Sequence, residues 1–217
     1  MGATYDAVLF DNDGVLTTPT DGNVLREAMR RAFERVGVSD PPDDHLETLR
    51  SPTVSSLRGV ASEHDVDPER LWRARERAAI DAQRAELEAG RKRPYEDVAT
   101  LDSLETATGI VSNNQHETIA NVLEHLELHG FDCWYGREPT LAGIERKKPR
   151  PYYLERAIDD LEASNPLFVG DSRVDVQAAD ALGIDAAFLR RDHRSDYRLS
   201  TEPTYEIDSL EALPDLL

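Results

Sequence analysis

Asp11 and Asp13 stand two residues apart in Phe10-Asp11-Asn12-Asp13-Gly14, directly after the apolar run Ala7-Val8-Leu9-Phe10. A carboxylate just past a buried strand sits where open α/β sheets place their ligands, and Gly14 permits the turn that lets both acids face one opening. Such a pair can divide labour. Asp11, held ionised by a nearby cation, can attack phosphorus; Asp13 can protonate the leaving oxygen and later take a proton from water. Taken alone, Asp-Asn-Asp-Gly also has the composition of an ordinary turn.

Three distant segments change that balance. Ser112 follows Gly109-Ile110-Val111, where its hydroxyl and the next backbone amide, that of Asn113, can bind a phosphoryl oxygen; a helix N-cap is the ordinary role for such a serine. Lys148 opens Lys148-Pro149-Arg150-Pro151 and can stand beside a transferring phosphoryl group as a point charge, with Lys147 as the alternative. Asp171 follows Leu167-Phe168-Val169 and can complete a magnesium site with Asp11, because magnesium takes a few carboxylates and keeps several waters. Asp175, one helical turn on, reaches the same side to bind the metal or its waters, and Asp13 completes the expected metal set. Each residue has an unremarkable explanation by itself, but the four segments at four strand-to-helix junctions share none.

The elements that must position them have a β/α rhythm. Short apolar runs at 109–111, 131–135, 167–169 and 186–189 alternate with helical spacing over 117–128, 151–161 and 173–182, and 205–207 and 209–217 read as a last strand and helix. This predicts a Rossmann-like α/β/α core around a parallel sheet. Residues 17–93 differ: Val24–Val36 and Pro68–Ala89 are helical, no strand stands out, and Gly, Pro and Thr mark joints near 17–22 and 90–94. The expected organisation is a catalytic core of residues 1–16 and 94–217 with a helical cap, residues 17–93, inserted after the first strand.

On these motifs and their order the sequence resembles the haloacid dehalogenase superfamily, in its capped phosphatase branch. The resemblance covers nearly the whole chain and implies Asp11 as nucleophile, Asp13 as acid/base, Ser112 and Asn113 with Lys148 as phosphoryl-binding residues, and dependence on Mg2+. The expected activity is hydrolysis of a small phosphorylated metabolite through an aspartyl-phosphate, of the phosphoglycolate phosphatase type. A β-phosphoglucomutase-like phosphotransferase shares the motifs. Hydrolysis is favoured because no residue of the insert is assignable to a second phosphate except the cluster Arg91-Lys92-Arg93, which reads as a solvated helix end. A haloacid dehalogenase proper would not use Asp13, and a non-catalytic binding module would have lost one of these residues.

Composition narrows the partners. With 43 acidic and 25 basic residues among 217, a net charge of -18 argues against nucleic acid, which needs a basic surface. Only Lys92, Lys147 and Lys148 are lysines, and excess acid with scarce lysine suggests a protein adapted to concentrated salt. One cysteine, Cys133, excludes an intrachain disulfide and reads as a buried structural thiol. No apolar run approaches a membrane span, and the N-terminus has no signal-peptide pattern, so a soluble cytoplasmic protein is expected. The oligomeric state is unreadable.

Overall fold

The computed structural model describes residues 5–217. The chain runs through β1 (Ala7–Phe10), α1 (Gly22–Arg35), α2 (Asp43–Arg50), α3 (Val54–Glu63), α4 (Pro68–Glu88), β2 (Ala107–Gln115) and α5 (His116–His125). It continues through β3 (Cys133–Arg137), α6 (Leu141–Arg146), α7 (Tyr152–Asp160), β4 (Pro166–Gly170), α8 (Arg173–Asp180), β5 (Asp185–Leu189) and β6 (Tyr205–Ile207). Short 3-10 turns at Glu96–Ser103 and Leu210–Asp215 close the core.

Among the described residues six strands form one sheet, all parallel, in the order β3-β2-β1-β4-β5-β6. Period-two alternation divides their side chains between two apolar layers. Val8, Phe10, Ile110, Leu167 and Val169 pack with Ile119 of α5 and with Val98, Leu210 and Leu213. Leu9, Val111, Phe168 and Phe188 pack with Tyr153, Leu154 and Ala157 of α7 and Val176 and Ala179 of α8. A strand covered on both faces needs an uninterrupted apolar run, which β1 and β4 supply. Because the chain leaves β1 for β2 on one side and later returns to β4 on the other, β1 and β4 flank the switch point where such sheets open a crevice.

Helices α1 to α4 gather around a separate apolar cluster that includes Met29, Phe33, Leu46, Leu57, Leu71 and Trp72, joined by Ile144 of α6. The chain enters and leaves this helical layer side by side. Thr18 N donates to Arg93 O (2.9 Å), Arg93 N to Thr18 Oγ1 (3.2 Å) and Tyr95 N to Leu16 O (3.1 Å). Two further strands differ from the sequence pattern. β2 runs on past Val111 to Gln115, and β3 begins at Cys133 and ends at Arg137, two residues later than the apolar run suggests. Cys133 is half-buried, and burial, with Asp160 and Asp132 nearby, pushes its thiol up to about 11, as befits an unreactive thiol.

Candidate active site

The C-terminal ends of β1, β2 and β4 bring the four predicted segments together. Asp11 leaves β1 with its N–H on Val169 O (2.9 Å), so the first acid is tied to the neighbouring strand. Buried Asn12 then makes the turn: its carbonyl accepts from Val15, Leu16 and Thr17, and its side chain donates to Thr17 Oγ1. Gly14 is required twice over. Its φ is +89°, and a Cβ there would lie 2.2 Å from Asp171 Oδ2. Gly170 is required for the same reason of space, since its Cβ would lie 2.2 Å from that of Asp175.

Lys148 stands at the centre, nearly fully buried. Its Nζ donates to Val111 O (2.7 Å) and lies 3.0 Å from Asp11 Oδ1 and 2.7 Å from Asp175 Oδ1. Asn113 fixes the Lys148 backbone from both sides, accepting from Lys148 N (2.7 Å) and donating to Lys148 O (3.0 Å). Burial works against the ammonium, but Asp11 and Asp175 outweigh it and hold Lys148 above the usual lysine range. Lys147 points elsewhere, to Pro52 O (3.2 Å) and Ser51 Oγ (3.5 Å) beside the helical layer. Ser112 is buried in the extension of β2 and accepts from Asn114 N (3.2 Å), so it is no helix cap; α5 starts after Gln115.

Asp175 divides its oxygens. Oδ2 caps α8 through Ser172 N (3.0 Å), while Oδ1 faces Lys148. Asp171 Oδ2 lies 2.8 Å from His193 Nε2 and accepts from Arg194 Nε (2.9 Å). Neither His193 nor Arg194 carries any sequence signal, because both lie in a single 3-10 turn, Asp192–Arg194, too short to show a periodic pattern. Among the described residues, one group of three acidic side chains brings ligand atoms within 4.8 Å of one another: Asp11, Asp171 and Asp175. The Asp13 carboxylate is not in that group. It contacts Lys92 Nζ and accepts from Asn114 Nδ2 (2.8 Å).

Two observations fit this group to a hard divalent cation. Asp11 Oδ1 and Asp175 Oδ1 are buried oxygens whose one partner among the described residues is the same ammonium, Lys148 Nζ, at 3.0 and 2.7 Å. Lys148 also does not hold Asp11 ionised by itself: burial, with Asp175 and Asp171 adding to it, pushes the carboxyl up to about 7 against the pull of Lys148. Three converging carboxylates offset by only two permanent cations, Lys148 and Arg194, form a donor set that magnesium suits.

The reading of Arg91-Lys92-Arg93 as a solvated helix end is corrected by the structure. Arg91 pairs with Glu86 at the surface, but Lys92 is 1% exposed, its ammonium reaching Asp13 and Thr18 O (3.1 Å). Its position beside the paired chain crossings turns it inward, and the sequence signal was its being a lysine at all among arginines. From α4, buried Gln83 donates to Asn114 Oδ1 (2.9 Å) and accepts from Asn114 Nδ2 (2.7 Å), linking the helical layer to Asp13. A cavity of about 310 Å³ between that layer and the sheet is lined by Asp13, Asn113, Asn114, Gln83 and Trp72, among others.

The profile of the haloacid dehalogenase-like hydrolases matches residues 5–183. The chain is 28% identical over 218 residues to pyrophosphatase PpaX of Halalkalibacterium halodurans, covering 98% of this chain and 95% of that one. It is also 28% identical over 221 residues to a phosphoglycolate phosphatase of Neisseria gonorrhoeae, covering 97% and 91%. Its fold is similar to that of CbbY from Rhodobacter sphaeroides, solved with phosphate, at a TM-score of 0.70 and 16% identity over 97% of this chain and 96% of that one. Sheet order, crevice and profile agree: the chain belongs to the haloacid dehalogenase-like hydrolase family and is an enzyme of its phosphatase branch.

Proposed function

We propose that this protein is a magnesium-dependent phosphatase that hydrolyses a small phosphorylated metabolite through an aspartyl-phosphate on Asp11. The observation that carries the reading is the convergence of Asp11, Asp171 and Asp175 around Lys148, with Asp13 at the next turn of the same loop. Asp11, Asp171 and Asp175 would hold the cation, which when bound supplies positive charge to keep Asp11 ionised and to offset charge on the phosphoryl oxygens.

Asp11 attacks phosphorus as the bond to the leaving oxygen breaks, and Asp13 donates its proton to that oxygen. Lys148 balances the charge of Asp11 and of the phosphoryl oxygens, and the Ser112 hydroxyl with the adjacent amide orients them. In the second step Asp13 takes a proton from water as its oxygen bonds to phosphorus and the Asp11 carboxylate leaves. Helices α1 to α4 serve as a cap over the cavity, hinged at the paired crossings, and exclude bulk water during the first step. A cavity of about 310 Å³ stands at the small end of ligand pockets, which supports a compact metabolite.

The test is turnover of a panel of phosphate monoesters with magnesium, with calcium and in chelator, each in low and in molar salt. Phosphate release with magnesium alone is expected. Full activity in chelator refutes the metal assignment, and isomerisation of a sugar phosphate that depends on a bisphosphate and frees almost no phosphate refutes hydrolysis.

A further inference from the structure

The oxygens of the converging acids are not equally free. Asp175 keeps Oδ2 on Ser172 N (3.0 Å), and Asp171 has its own Oδ2 taken by His193 Nε2 (2.8 Å) and Arg194 Nε (2.9 Å). A carboxylate oxygen has two lone pairs, and these two donors use both. Gly14 crowds a third side, since even a Cβ there would lie 2.2 Å from the same oxygen and 3.0 Å from His193 Nε2. Asp171 Oδ1 has no hydrogen-bond partner among the described residues, so it is the oxygen left to a cation.

The segment that supplies the two donors is itself tied down. Arg190, paired with Glu206, donates through Nη1 to Arg194 O (2.9 Å), Ser195 O (3.4 Å) and Tyr197 O (3.1 Å), which fixes the turn from within. Arg191 makes two bonds of 2.8 Å to Asp97 and one of 2.8 Å to Val15 O, on the loop that carries Asp11 and Asp13. Arg194 lies over the ring of Tyr197, which stacks on Phe188 of β5. A metal ligand with its outer oxygen held in this way keeps one orientation. His193 and Arg194 lie beyond residues 5–183, over which the family profile matches, and the phosphoryl-transfer steps use neither.

We propose that His193 and Arg194 are positioning residues that restrict Asp171 to a one-oxygen ligand, and so bias the cation site toward magnesium and against calcium. Magnesium fills a small octahedral shell in which water takes several places, whereas calcium takes about six to eight oxygens and gains from carboxylates that give two. Holding Oδ2 back costs calcium a ligand and magnesium none. The charge of Arg194 opposes both divalent cations alike and cancels from the ratio of their affinities; the two donors do not cancel. The inference rests on the assignment of the cation to Asp11, Asp171 and Asp175.

The test is calorimetric titration of the whole protein with magnesium and with calcium at pH 8, in molar KCl to screen the acidic exterior. The readout is the dissociation constant for calcium divided by that for magnesium. It should fall about tenfold or more in His193→Phe/Arg194→Met, which keeps bulk and removes both donors. Arg194→Gln keeps a nitrogen donor at the position of Nε and loses the charge, so both affinities should rise together and the ratio should hold within about twofold. An unchanged ratio in the double variant overturns the proposal, and so does an equal fall in Arg194→Gln. Crystal structures of the wild-type protein with magnesium and with calcium need no variant to fold: Asp171 Oδ2 should stay on His193 and Arg194 in both, and Oδ2 turned onto either cation overturns the proposal. Absence of saturable magnesium binding refutes the metal assignment and the proposal with it, whereas magnesium binding with an unmoved ratio refutes the positioning role alone.

Discussion

Replacing Asp11 by Asn should abolish turnover and, in the absence of metal, make the protein more stable at pH 8. The Asp11 carboxyl stands at about 7 against an ordinary 3.8, raised first by burial and then by Asp175 and Asp171. About three pH units at roughly 1.4 kcal/mol each set a ceiling on the order of 4 kcal/mol for ionising it in place. The side chain keeps 13% exposure, so water relieves part of this, and about 2 kcal/mol is expected. A group whose native value is raised contributes stability that is fully present below the unfolded value and lost as pH rises through the native one. The advantage of Asp11→Asn should therefore be near zero at pH 4, grow between about 4 and 7, and be complete at pH 8. For a chain of this size it amounts to a Tm gain of roughly 4 to 8 °C. Thermal unfolding in chelator at pH 4, 6 and 8 measures it, and saturating magnesium should shrink or reverse the gap. An Asn variant no more stable than wild type at pH 8 in chelator, or a gap that widens on acidification, refutes the account of the carboxylate cluster.

Lys148→Ala strands Asp11 and Asp175 without their shared ammonium and should cost about 3 to 5 kcal/mol of stability. It should also lower kcat by about a hundredfold or more, whereas Lys147→Ala should slow transfer far less; the reverse order in a steady-state assay refutes the assignment of Lys148. Lys92→Met removes the cation that holds Asp13 and should reduce kcat more for ethyl phosphate than for an activated aryl phosphate, because only the former needs the proton. Equal losses on the two esters sink that role. Raising KCl from 0.1 to 2 M shortens the screening length from about 10 Å to under about 3 Å and should raise Tm by several degrees for a chain of net charge -18. A flat or falling Tm argues against adaptation to salt.

What the sequence made legible follows from how local the causes are. β1 coincides with its apolar run because both faces of that strand are covered, and α4 begins at Pro68 with Asp67 as its cap, a signal contained in two residues. The extension of β2 to Gln115 was not legible, since Ser112, Asn113 and Asn114 are polar residues held extended by Lys148, Asp13 and Gln83 from three other segments. Lys92 was misread for the same reason: its burial is set by the crossing chains and by Asp13, 79 residues away. Likewise, only the closed fold places Arg75, Arg137 and Lys147, from α4, β3 and the segment before Lys148, on one cavity.

The location of the lysines gives the molecule a chemical handle. Among side-chain amines, an acylating reagent finds only Lys92, Lys147 and Lys148, all of them at the cleft, because every other basic side chain apart from the histidines is an arginine, which stays protonated. Lys92 and Lys148 are sealed from solvent, and Lys148 is held protonated by its carboxylates. Lys147, half-buried with its ammonium weakened by Arg137 and Arg75, carries the larger share of free base. Among the side chains, an unselective acylating agent thus becomes selective for Lys147, at the mouth of the cleft.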